Sequence, residues 1–220
     1  MFMFLRPIAA ISLATLLLLF SCAGFESPLG DKTIREAYFL GQHHDASTQS
    51  ALKPYIHILP APPKGPDISE IRLFTPYAQV IEASSAQSAG YSAQQAAADY
   101  HSHADTIVVR FHIEFTPTYG YIESDRDRTD LAAEKGLSIR SEDFWQAFNA
   151  GLSQHDQWIE PLSREGEPIF SHSSDSNEMT GAYIWLTYDA HDVSSDEAIA
   201  EIFTPDGQHV TSTFDLSALR

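Results

Sequence analysis

The stretch Thr106–Phe115, TIVVRFHIEF, decides the fold. Its apolar residues alternate: Ile107, Val109, Phe111, Ile113 and Phe115 share one parity, and Val108, Arg110, His112 and Glu114 share the other. Side chains of an extended chain point to opposite faces in turn, so one face here is apolar and the other, Val108 apart, is polar. A strand buried on one face and solvated on the other belongs to an antiparallel sheet, since parallel strands are covered on both faces.

Working outward, Lys53–Leu59 and Ile68–Phe74 read as strands upstream of it. Downstream, strands are expected over Trp158–Leu162, Glu167–Ser171, Ala182–Tyr188, Ala198–Phe203 and His209–Phe214. Pro205-Asp206-Gly207 joins the last two as a turn: proline presets φ, aspartate bonds locally, and glycine accepts the left-handed position. Helices interrupt the pattern. Thr75-Pro76 has the form of an N-cap followed by proline in the first turn. Ser92-Ala-Gln-Gln95 has the form of a capping box. Ser141 caps a further predicted helix over 142–152, with Phe144, Trp145, Phe148 and Leu152 as its apolar stripe. About eight short strands with inserted helices near 76–103 and 142–152 predict a mainly β chain. The expected architecture is an antiparallel β-sandwich, immunoglobulin-like in the broad sense, as a single domain over 53–220. Ala23–Leu52 reads mainly as a tether, glycine-bearing and polar. TIREAYFL in its middle has the makings of one or two helical turns, and the segment, if flexible, reaches on the order of 30 Å.

The 220 residues carry 43% hydrophobic residues, enough for a core. The formal net charge is −17, from 30 acidic and 13 basic side chains. That excess argues against nucleic acid, whose phosphates need a basic footprint. It argues equally against docking onto anionic lipid by charge alone.

The first residues carry one charge, Arg6, followed by the apolar run Pro7–Phe20. Its length is that of a signal-peptide core and is short for a membrane span. It ends at the one cysteine of the chain. Leu19-Phe20-Ser21-Cys22 resembles the lipobox of bacterial lipoproteins, although a small residue is usual where Phe20 stands. The resemblance covers this segment alone. It implies removal of residues 1–21, a diacylglyceryl group on Cys22 and acylation of the new amino terminus. Several acyl chains together anchor stably where one is marginal. An ordinary secretory signal would want an A-x-A-like cleavage site, and FSCAG is a poor one. Ala23 stands where aspartate signals inner-membrane retention in such lipoproteins, so the resemblance implies a lipid-anchored protein of the bacterial envelope, by default at the outer membrane. With Cys22 lipidated, the mature domain has no thiol chemistry.

Ten histidines are the unusual chemical resource. In an extended segment His101 and His103 would project to one side and could share a metal, with Asp99, Asp105, His112 or Glu114 completing a tetrahedral set. Two ligands are not a site, however, and a polar junction between helix and strand explains the same residues. The acidic runs Asp125, Asp127, Asp130 and Asp189, Asp192, Asp196 lack the pattern of a dedicated calcium loop, and Arg126 and Arg128 would repel a cation. No G-x-S-x-G elbow, HExxH, P-loop or dinucleotide fingerprint is present, and no cofactor is expected. Trp158 or Tyr119, if exposed, could stack a sugar. The expectation is therefore a non-catalytic binding or interaction module, held at the membrane by its N-terminal lipid and facing another envelope protein or a glycan. The alternatives are a metal-dependent enzyme using His101 and His103, and an accessory lipoprotein of a transport or secretion assembly.

Overall fold

The computed structural model describes residues 24–87, 90–119, 140–173 and 176–220. Cys22 and the acidic run Asp125–Asp130 lie outside these. Among the described residues, nine strands make two antiparallel sheets. The five-stranded sheet has the order β1 (Ile56–Ile58), β2 (Asp67–Phe74), β3 (Thr106–Glu114), β7 (Ser176–Asp189) and β6 (Ser163–Ser173). The four-stranded sheet has the order β5 (Gln157–Ile159), β4 (Asn149–Gln154), β8 (Glu197–Phe203) and β9 (His209–Asp215).

The alternation in β3 is the plan of the core. Ile107, Val109, Phe111 and Ile113 are all fully buried. They lie opposite Tyr188, Leu186, Ile184 and Ala182 of β7, which are buried on the same face. Ala150, Leu152, Ala200, Ile202 and Phe214 of the second sheet join them in one apolar cluster. Two sheets packed through their inner faces form the expected β-sandwich. Among the described residues, no helix is long and apolar enough to cross a membrane.

Three expectations need correction. The segment expected to be a tether contains two helices, α1 (Asp31–Gln42) and α2 (Ala46–Leu52). Ile34, Ala37, Tyr38 and Gly41 recur at helical spacing and are buried. They pack on α3 (Pro76–Ala86), where Leu29, Tyr77, Val80 and Ile81 complete a second apolar cluster. Gly41 sets the closeness: a Cβ there would lie 2.7 Å from Ser84 Cβ and also against the Ile81 carbonyl. The chain already rests on the body at Gly24, which abuts Ser195 with no room for a side chain. Phe25 packs against the main core.

The helix expected over 142–152 is instead a 3₁₀ turn, Phe144–Ala147, followed by β4. Phe144 and Phe148 are buried, but Ala150 and Leu152 continue inward with period two. Five residues of β4 pair with β8, so the sheet ladder overrides the local helical stripe. Finally, the first expected strand shrinks to β1, because Lys53–Tyr55 forms a 3₁₀ turn.

Candidate functional site

The best-formed cavity, about 500 Å³, lies between α3, α4 (Ala93–His101) and the start of β3. Local sequence builds its walls. Thr75 caps α3, its hydroxyl accepting from Ala78 N, and Pro76 occupies the first turn. Ser92 and Gln95 cap α4 reciprocally, Gln95 N donating to Ser92 Oγ at 3.2 Å and Ser92 N to Gln95 Oε1 at 2.9 Å. Gln79 fastens α3 to the sheet: its amide donates to the carbonyls of Phe74 and Thr106, at 3.2 and 2.6 Å. Tyr38 of α1 donates to the Tyr91 carbonyl at 2.7 Å and ties α1 to the segment that leads into α4.

Pro76, Val80, Ala83, Ala96 and Ala104 supply the apolar surface. The polar lining includes two phenol–carboxylate pairs. Tyr91 donates its hydroxyl to Asp99 Oδ2 at 2.8 Å. The Tyr100 hydroxyl donates to Asp105 Oδ1 and accepts from Leu29 N at 2.9 Å. Ser27 holds the other Asp105 oxygen at 2.9 Å. Burial, and then the Asp99 hydrogen bond, pushes the Tyr91 phenol up to about 12. Burial and Asp105 push Tyr100 upward as well. Both phenols therefore remain protonated donors at neutral pH. Ser84 also stands in the wall, fully buried, and its hydroxyl has no hydrogen-bond partner among the described residues.

The predicted metal candidates do not come together. His101 ends a helix rather than lying in an extended segment, so it and His103 do not project as alternate residues of a strand. His101 Nε2 lies 3.2 Å from Asp31 Oδ1. His103 Nδ1 lies 2.9 Å from the Asp99 carbonyl, and its side chain lines the cavity. His112 is on the outer face of β3, with Nδ1 3.0 Å from Ser69 Oγ. Among the described residues, no three His, Cys, Asp or Glu side chains are grouped to hold a metal. Asp189 is occupied as the cap of the turn Ala190–Asp192, accepting from His191 N. Asp196 faces His155 and Ser194.

Sequence reasoning singled out Asp99 and Asp105 but paired them with histidines; their partners are tyrosines. Helical spacing in α4 did carry the signal, since Ala96, Asp99, Tyr100 and His103 follow one stripe. Tyr91 and Gln79 gave none, because their roles come from other elements.

Two further surfaces deserve description. On the outer face of the five-stranded sheet, Arg110 lies 4.7 Å from the Tyr183 ring and 5.0 Å from the Trp185 ring. Glu70 bonds it at 3.1 Å and also grips Arg72, which Glu82 faces at 3.7 Å, so both cations are already engaged by carboxylates. On the outer face of the four-stranded sheet, Trp158 is 48% exposed and stacks towards Phe203 at 6.5 Å, with His209 beyond at 4.0 Å. A polar cleft of about 340 Å³ beside Trp158 is lined by His155, Asp192 and Ser194 among others. Tyr119, the other ring considered for stacking, is buried at 5% exposure.

Comparison with protein-family models, with curated proteins and with solved structures finds no match for the chain.

Proposed function

We propose that the chain is a lipid-anchored, non-catalytic binding module of a bacterial cell envelope, and that the cavity between α3 and α4 is its ligand site. The observation that carries the binding reading is the cavity itself. It has the size of a small-molecule site, apolar walls, and polar groups already oriented by hydrogen bonds. The anchoring reading rests on the resemblance of Leu19–Cys22 to a lipobox at the end of an apolar run. The default outer-membrane location rests on Ala23.

The two parts have separate tests. In cells, Cys22→Ala should release the protein from membranes and remove the added acyl mass; continued membrane fractionation at unchanged mass defeats the anchor. For the site, a small-molecule fragment library is screened by NMR. Shifts clustering on Val80, Ala96 and Tyr100, and lost in Ala83→Phe, support the cavity. Shifts confined to other faces reject it.

A further inference from the structure

We propose that this cavity selects a cation, specifically an organic ammonium group carried on a small apolar body; the proposal rests on the cavity being the ligand site. The charge inventory of the wall is one-sided. It holds two carboxylates, Asp99 and Asp105, and neither lysine nor arginine. The nearest basic residues by chain position are engaged or turned elsewhere: His101 faces Asp31, and Arg72 is held by Glu70 and Glu82. His103 is the one basic group of the lining, with its Nδ1 beside the Asp99 carbonyl. An anionic ligand would meet repulsion from both carboxylates, and a neutral apolar one would leave the second oxygen of Asp99 without a protein or ligand donor.

An ammonium answers each feature of the site. Tyr91 takes one oxygen of Asp99, and no protein donor among the described residues takes the other. Each phenol donates to its carboxylate, which fixes the acceptor in place for a charge-assisted hydrogen bond. The rings of Tyr91 and Tyr100 line the same cavity, and an aromatic face attracts a cation partly withdrawn from water. Val80, Ala83, Ala96 and Ala104 then receive the apolar body.

The test uses three probes with similar bodies: 2-phenylethylammonium, 2-phenylethanol and 3-phenylpropionate. Binding to the full-length protein in detergent is measured calorimetrically. The ammonium should bind about tenfold or more tightly than the alcohol, and the carboxylate should not bind. Raising salt should weaken the ammonium alone. Asp99→Asn changes an exposed side chain and should erase most of the preference for the ammonium over the alcohol; Asp105→Asn checks the second carboxylate. Equal binding of ammonium and alcohol, or a preference that survives both variants, overturns the cation proposal and leaves the cavity standing. Absence of binding by all three probes, or binding that persists in Ala83→Phe, overturns both.

Discussion

At the scale of single residues, close approach and burial set the sharpest expectations. Gly41 lets α1 lie against α3, with Ser84 Cβ and the Ile81 carbonyl where a side chain would go. Backbone does not yield as a flexible side chain would. Gly41→Ala should therefore cost about 1–3 kcal/mol, the range for overpacking, read as a lowered denaturant midpoint at unchanged slope. His57 makes a different prediction. Its ring stacks on Phe214 at 4.2 Å, with the planes 6° apart, and pairs with Ser212. Burial holds its pKa below the ordinary 6.5. The unfolded chain therefore takes up the proton first as pH falls. This contribution to stability is complete above pH 6.5 and is lost as pH falls from there towards the lowered folded value. His57→Gln should flatten the decline of the unfolding midpoint over that window. The decline should not vanish, because burial lowers His112 in the same direction.

At the scale of elements, the capping box of α4 supports the cavity wall. Ser92→Ala removes its acceptor and should cost about 1 kcal/mol. Hydrogen exchange should quicken at Ala96–Tyr100 and stay unchanged in β3; equal acceleration throughout the protein would show that α4 is not separately secured by its cap. This cap was legible in the sequence because it is local, four residues that satisfy one another. So was the last hairpin, in which Gly207 takes the predicted positive φ of 90° and donates to the Thr204 carbonyl. β4 was not legible. Phe144, Trp145, Phe148 and Leu152 satisfy a helical period, and only pairing with β8, some fifty residues on, makes 149–154 a strand. The docking of α1 was half legible: Ile34, Ala37, Tyr38 and Gly41 follow a helical stripe, but glycines and polar neighbours suggested a linker. The cavity was legible only along one stripe, Ala96, Asp99, Tyr100 and His103, since Gln79, Tyr91 and Asp105 come from three places that only the tertiary fold joins.

At the scale of the whole molecule, the β-sandwich was readable from β3 outward because a single buried face repeated in strand after strand. What the sequence misplaced was the beginning of the compact body, and that changes how the protein would stand in the cell. Gly24 is pressed against Ser195, and two steps of chain separate Cα of Gly24 from Cα of Cys22, at most about 8 Å. If Cys22 bears the acyl chains, there is no slack for the body to wander on. The molecule would sit like a cap on the bilayer, its attached end resting among the headgroups. The cleft lined by Asp192 and Ser194 adjoins that end, and with such an anchor the half-exposed indole of Trp158 would stand at interfacial depth, a level tryptophan favours. Headgroup-level quenchers in vesicles should then dim Trp158 fluorescence, read against Trp158→Phe. A dozen Gly-Ser residues inserted after Ala23 should restore it; quenching indifferent to the insertion would sink this orientation. A partner reaching such a cap would have to come down to the membrane surface, because two residues between the lipid and the docked Gly24 would make no stalk.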